Sequence, residues 1–513
     1  MGTWTPIRGI PDPGFGITPE CAALPSPWAT DVTGWYYVQT GGTNSGNGYP
    51  ANPRGSIPST LPAGAVVIIG GSSFSLGVGV QITANGTAAN PCYIRGQSYA
   101  SRPTITGVLA PAGSYGIVEN LNFSDGVIFQ EGASNHWTAR HCEFNEGTIG
   151  LGTWGYTGTS FVEYVVLNDL NMHSALAWHP GTDVDNHAIT LNGSNRYIWI
   201  LNSTIHGFEG DGCQMEAQNG RQANIHHIYF GKNTSYNNKQ SGVWVKHATD
   251  VIISENELYD FAVTDSYSSG QATGLQYDND YIWFLFNLIH DCEQGIAAES
   301  ENNGTGTHHY IIGNVIHTIA SSDQSNPHGY GAIKLRQANW YVLNNTLHNY
   351  DCGISMPYSG INATVLDNLF GARTISGGSL LYAETATSLT SFQKNIVPVT
   401  NFRALYNGST YTTLAAFQSG SGKGQNCVAT DSPGMTNPPT DCSILTTSPA
   451  KDAGQTATHA AYTAFQDRYG FSIAYDKAGG VRPVNAVWDI GAYEYGAATT
   501  QAPNGTWNYF RVR

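Results

Sequence analysis

The chain has 513 residues and a formal charge of −15, with 22 Lys and Arg against 37 Asp and Glu. Charged residues make 12% of it, about half the usual ~25%, while Gly is enriched at 60 residues. With 41% hydrophobic and 12% aromatic residues the chain has apolar surface to bury and is not disordered. No run approaches the ~18–20 apolar residues of a membrane span, and so few cations exclude nucleic acid as the main partner.

A Gly-, Asn-, Tyr- and Trp-rich acidic chain reads as a secreted, mostly β protein, although the opening Met-Gly-Thr-Trp carries no signal peptide. Eight cysteines show no CxxC metal spacing; Cys427 and Cys442 bracket a Pro- and Gly-rich loop and form a candidate disulfide. Cys213 reads as a buried thiol.

In chain order, residues 1–60 read as an N-terminal cap segment, 61–395 as the repetitive body, and 396–513 as C-terminal coils and a capping region. VVIIGGSSFS (66–75), CYIRGQ (92–97) and PTITG (103–107) look like an opening coil. From about residue 195 to 370 one phrase recurs: a β-rich run, then Asn, then Ile or Leu and His or Tyr, then a Gly-led strand. Its instances include YIWILNSTIHG (197–207), VIISENELYD (251–260) and YVLNNTLHN (341–349). The recurrent position falls on Ser203, Asn233, Asn256, Asn287, Asn314, Asn345 and Asn368, at spacings of 30, 23, 31, 27, 31 and 23. Such a unit cannot bury its own apolar face, so units must stack. The pattern predicts a right-handed parallel β-helix with an Asn ladder along it. His173, His206, Tyr236, Tyr259, His290, His317 and His348 form a second column. Tyr replaces His freely there, so we read a stacked turn rather than a histidine site.

The Gly-led strands align as AITLN (188–192), GCQME (212–216), GVWVK (242–246), GLQYD (274–278), GIAAE (295–299), AIKLR (332–336) and GISMP (353–357). Side chains alternate in a strand, so the apolar second and fourth positions face inward. The third position (Thr190, Gln214, Trp244, Gln276, Ala297, Lys334, Ser355) and the fifth (Asn192, Glu216, Lys246, Asp278, Glu299, Arg336, Pro357) then face out. With coils ~4.8 Å apart, Glu216, Lys246, Asp278, Glu299 and Arg336 make a charged ladder roughly 20 Å long. Lys246, Lys334 and Arg336 on these few positions exceed the share that 22 cations in 513 residues would place there. Inter-coil salt bridges are the competing explanation. Long connections at 174–187, 262–273 and 319–331 border one edge of this face and suit a binding groove. They carry Trp178, His179, His187, Tyr267, His328 and Tyr330, with Trp244 on the groove floor.

These rungs, the opening segments and the ending SPAKDAG…GGVRPVNAVWDIGAYEY resemble secreted bacterial right-handed β-helix carbohydrate-active enzymes, polysaccharide lyases and glycoside hydrolases among them. The resemblance implies a polysaccharide substrate, and the expected protein is a monomer. For a lyase acting by β-elimination on a uronate-containing glycan, Lys246 is the candidate base, and Arg336 and Lys334 neutralise the substrate carboxylate. Asp278, Glu299 and Arg336 complete the expected catalytic set, with Glu216, Lys334, Trp244, Gln214, Gln276 and His187 binding substrate. Such lyases often pair the base with acidic Ca²⁺ ligands, here Glu216, Asp278 and Glu299, although the chain has neither an adjacent Asp pair on a strand nor an ExE motif. The alternative is a retaining glycoside hydrolase using Asp278 and Glu299, which successive coils would set at the required ~5–5.5 Å; GLQYD…NLIHDCEQGIAAE resembles the Asp/Glu arrangement of some β-helix glycosidases. A non-catalytic surface adhesin or structural β-helix is the third reading.

Overall fold

The structure is a computed structural model that describes residues 5–499, apart from 182–183, 219, 267–268, 300–305, 321–329 and 374–377, and excluding the side chain of Val78. Contacts divide the chain into two compact units. The first takes in Asp12–His179 and Val184–Thr234, the second Pro6–Pro11 and the chain from Ser235 onward. Each unit is wound as a right-handed parallel β-helix, three short strands to a coil.

In the first unit the first sheet stacks Gly126–Phe129, Thr148–Leu151, Ile189–Asn192 and Cys213–Glu216 in parallel register. The second sheet stacks Ser134–Arg140, Val162–Asn168, Asn195–Leu201 and Ile225–Gly231. The third stacks Glu143–Asn145, Asn171–His173 and Thr204–His206. Parallel pairing already begins at Trp35–Val38, which pairs with Val66–Ile69 inside the segment read as a cap.

In the second unit the first sheet runs through Ser241–Lys246, Gln271–Gln276, Gln294–Glu299, Ile333–Lys334, Ile354–Met356 and Leu381–Ala383. The third sheet continues past residue 395, through Ile396–Val397 to Val428–Ala429.

The corner between second and third sheets is where the sequence pattern acts most directly. Each coil needs one left-handed residue there: Phe286, Asn344, Asp367 and Lys394 have φ of 51–56°. That conformation costs about 1–2 kcal/mol for an L-residue. The next residue offsets it. The amide of Asn287 donates to Asn314 Oδ1, Asn314 to Asn345, Asn345 to Asn368 and Asn368 to Asn395, at 2.9–3.1 Å. Each Oδ1 also accepts the backbone N–H of the preceding rung, at 2.8–2.9 Å. All five side chains are fully buried. Beyond Asn395 the place is taken by Cys427, whose Sγ lies 3.4 Å from the Asn395 backbone nitrogen. Cys427 is therefore a ladder terminus, and neither it nor Cys442 is in a disulfide; all eight cysteines are free thiols.

The His and Tyr column is a stack, as its repetition implies. Tyr236, Tyr259, His290 and His317 follow one another at centroid spacings of 4.9–5.0 Å with nearly parallel rings. His173 and His206 stack likewise in the first unit.

The second sheet of the second unit is apolar on both faces because its outer face is covered. Trp283 stacks on Tyr310 at 3.6 Å and receives Phe465 edge-on from the helix Ala460–Tyr469. Arg468 and Tyr469 of that helix bond the buried carboxylate of Asp250. Trp488, Ile490 and Ala492, from the motif-rich ending, are buried, and the last two pack with Leu369 and Ile396 of the third sheet. On the outward face of the first sheet, Trp244, Ala297, Lys334 and Ser355 are buried, whereas Lys246, Gln276, Glu299 and Arg336 are partly exposed. No helix among the described residues is long and apolar enough to cross a membrane.

Two outcomes follow from this packing. Asn314→Ala removes an acceptor and a donor from the middle of the ladder and orphans buried neighbours, so urea denaturation should show a loss of about 3 kcal/mol. Burial also lowers His136 and His317 to about 4 and His309 to about 3. Between these values and the ordinary 6.5, the unfolded chain binds protons that the folded chain does not. Stability therefore falls as pH drops from 6.5 toward 4. Asp367, raised to about 6 by burial, and Asp489, raised in the same way, oppose this, but burial lowers His206, His348 and His459 as well, so the histidines outnumber them. Thermal unfolding scanned from pH 7 to 4 should show a falling midpoint.

Candidate functional site

The outward face of the first sheet in the second unit is set by the register of its strands. Val243 pairs with Thr273 and Thr273 with Ile296, so Trp244, Gly274, Ala297, Lys334 and Ser355 occupy one outward file. Lys246 pairs with Gln276 and Gln276 with Glu299, which opens the second file; Arg336 lies two residues beyond Lys334 along its strand.

This corrects the alignment drawn from the Gly-led motif. The strand containing Gly274 is shifted by two residues, so Gln276 and not Asp278 stands between Lys246 and Glu299. The lead position belongs to Ala272, and the inward place before Leu275 belongs to Thr273, whose hydroxyl donates to the Val243 carbonyl at 3.0 Å. Tyr277 is not an inward residue: it turns with φ of 65° and stacks on His247 at 4.7 Å. Asp278 lies beyond the strand, in the turn. Asp278 and Glu299 are not neighbours in one file, so the spacing argument for a retaining carboxylate pair is lost.

Gly274 is a glycine for a local reason. A Cβ there would lie 1.9 Å from the Ala297 carbonyl oxygen on the next coil and 2.5 Å from the ring of Trp244 on the one before. The indole therefore rests over bare backbone, 4% exposed, with Nε1 3.5 Å from Gln276 Oε1. Trp244 is thus part of the packed floor and not the free stacking platform expected.

Glu299 is the focus of the charged part. Its carboxylate receives the Lys334 ammonium at one oxygen, and Arg336 lies 3.8 Å from the other. Arg336 is also fixed face-on over the Tyr358 ring at 3.7 Å, and Lys334 is 5.8 Å from the Tyr330 ring. Two cations therefore converge on one half-buried carboxylate, as charge-assisted pairing favours. Both Glu299 oxygens face cations, and Asp278 lies out of file with it. Among the described residues no group of three His, Cys, Asp or Glu side chains is arranged to hold an ion. Glu216, the third expected Ca²⁺ ligand, lies in the first unit, in register with Asn192.

In the first unit the sequence reading gathered Gln214, Glu216 and His187 but missed what ties two of them together. Asp211, 2% exposed, accepts from Gln214 Nε2 at 3.1 Å, and its backbone N–H donates to His187 Nδ1 at 2.7 Å. That bond fixes the imidazole with its proton on Nε2. Gln214 and His187 are themselves buried and offer a ligand little surface. Glu209 anchors the long loop by accepting from His179, and Trp178 is pinned to the Gly207 carbonyl. In the second unit, buried Lys239 holds Asp265 at 3.1 Å. The backbone of Gly181 and then Lys239 keep the Asp265 carboxyl below its ordinary range. Asp211 and Lys239 each lie two residues before their strands, outside the five positions aligned, which is why the alignment passed over them. Tyr267 and His328 lie outside the described residues.

Gly274→Ala forces its methyl against the Ala297 carbonyl oxygen and the indole, so the variant should lose about 1–3 kcal/mol in thermal or urea unfolding. An unchanged midpoint would show that neither the Ala297 strand nor Trp244 approaches so closely.

No protein-family model matches the sequence, and no curated protein does. Solved structures similar in fold include the A-module of the mannuronan C-5 epimerase AlgE6 of Azotobacter vinelandii, with 14% identity over 59% of this chain and 90% of that one, TM-score 0.41. Pectate lyase Pel9A is 12% identical over 90% of this chain and 96% of that one, TM-score 0.40. The GH136 lacto-N-biosidase of Eubacterium ramulus is 14% identical over 66% and 64%, TM-score 0.40. The likeness is one of fold alone.

Proposed function

We propose that the protein is a polysaccharide lyase that cleaves a uronate-containing glycan by β-elimination on the first sheet of its second unit. The observation that carries this reading is the convergence of Lys334 and Arg336 on one carboxylate, beside the file that runs from Glu299 through Gln276 to Lys246. In the free protein Glu299 occupies the cations. A uronate carboxylate entering there shares or takes them, and its charge is neutralised.

Neutralisation matters because the proton alpha to a carboxylate is weakly acidic. Lys246, in its neutral form, takes that proton. The electron pair forms the carbon–carbon double bond, the bond to the glycosidic oxygen breaks, and that oxygen leaves with a proton from solvent. Lys246 is two rungs from Glu299, about 9–10 Å along the sheet, and the cations stand one rung beyond it, so the long side chains of Lys246 and Arg336 have to reach the one carbon that bears both the carboxylate and the proton. Gln276, between them and against Trp244, is placed to bond a ring hydroxyl. A polymeric substrate requires action outside the cell, which agrees with the composition.

The test is the ultraviolet absorbance of an unsaturated uronate, measured on a panel of uronate polymers. The wild type should release it, and Lys246→Ala should slow release by about 10²–10⁴-fold. Arg336→Ala should raise KM for the polymer more than it lowers kcat. New reducing ends from neutral glycans, without ultraviolet absorbance and undiminished in Lys246→Ala, would replace elimination by hydrolysis. Inertness on every glycan would leave a structural or adhesive protein.

A further inference from the structure

The first sheet of the first unit presents a different surface from the charged one. Its outward file runs Ile128, Gly150, Thr190 and Gln214, and Asn192 stands outward two residues after Thr190. From Ile128 to Asn192 none of these positions carries a charge. Two large apolar side chains stand exposed on loops leading from and into this sheet: Trp154 at 63% and Leu176 at 63%; Ile128 on the floor is 41% exposed.

Both loops are anchored immediately beside these side chains. The Glu131 carboxylate accepts from the backbone N–H and hydroxyl of Thr153, at 2.8 and 3.1 Å, next to Trp154. Arg221 donates to the Thr157 carbonyl at 3.2 Å, and the Tyr156 hydroxyl accepts from Ser160 at 3.2 Å. On the other side Glu146 accepts from the Ser174 hydroxyl at 2.6 Å and from the Ala175 N–H at 2.8 Å, next to Leu176. The two glutamates are engaged in anchoring loops.

Gly150 supplies an independent observation. Its φ is not positive, and a Cβ built on it would meet only Ile128 and Thr190, at 3.7 and 3.8 Å, an ordinary contact distance. Neither backbone conformation nor crowding requires glycine at that rung. Its effect is a notch in the floor where something outside the protein approaches the backbone.

We infer that this face binds an uncharged glycan segment, one sugar ring stacked on Trp154 and the chain lying over the notch at Gly150. An indole offers a flat apolar face to the C–H side of a pyranose ring, and Thr190 and Asn192 bond hydroxyls. Lacking cations, the floor gives a uronate carboxylate no partner. The inference shares with the proposed function only the class of ligand and makes no use of elimination.

Affinity electrophoresis in gels containing mixed-linkage glucan, xylan or galactomannan tests it. The wild type should be retarded by at least one of these. Trp154→Ala and Gly150→Leu should each weaken retardation at least tenfold while thermal unfolding stays unchanged, because both sites are open to solvent. Lys246→Ala should be retarded like the wild type. No retardation of the wild type by any of the three, wild-type retardation of both Trp154→Ala and Gly150→Leu, or loss of retardation in Lys246→Ala would each overturn the inference. The elimination reading stands or falls separately, on the ultraviolet product.

Discussion

The amide ladder at one corner of the coil is the constraint on which the rest of the second unit depends. Each Asn bonds both the side chain and the backbone of its neighbour, so the rungs are locked in height and in phase. A strand is a short walk from that corner, and its outward residues are placed by counting from a fixed point. The left-handed residue before each Asn turns the chain at a conformational cost, and the ladder offsets it. Loop insertions between sheets are tolerated because each coil returns to the same corner.

Burial is asymmetric around the coil of the second unit. The second sheet carries the C-terminal helix and its Asp250 ion pair, and the third sheet carries the segment around Ile490. On the first sheet one outward file, from Trp244 to Ser355, is buried, and the neighbouring file of Lys246, Gln276 and Glu299 is partly exposed. Asp250 on the second sheet holds the covering helix, whereas Lys334 and Arg336 meet on the carboxylate of Glu299, with Arg336 also over the Tyr358 ring. Exchanging one carboxylate partner for another keeps each cation paired, so a ligand carboxylate avoids most of the penalty of breaking a half-buried ion pair.

The coil itself was legible in the sequence. The Asn period, the His and Tyr column and the inward apolar positions each follow from repetition, and repetition survives loops of unequal length. The register in the first unit, Ile189 to Cys213 and Asn192 to Glu216, was legible for the same reason. The place of Asp278 was not. A strand slipped by two residues keeps every side chain on its own face, so hydrophobic alternation scores both registers alike. Glycine was taken as the mark of a strand's beginning. At 274 it is instead the space beneath a tryptophan one coil away.

What the amino-acid order determined by itself is therefore periodic: a stacked parallel coil, its ladder, and which parity of residues faces out. What only the tertiary structure decided is which outward residues stand beside one another, that Trp244 lies flat in the floor, that Glu299 is held between two cations, and that Asp211 ties His187 to Gln214. The physical reason is that parity is a property of one strand, whereas neighbourhood across coils depends on contacts between residues about thirty positions apart, and no local pattern records them.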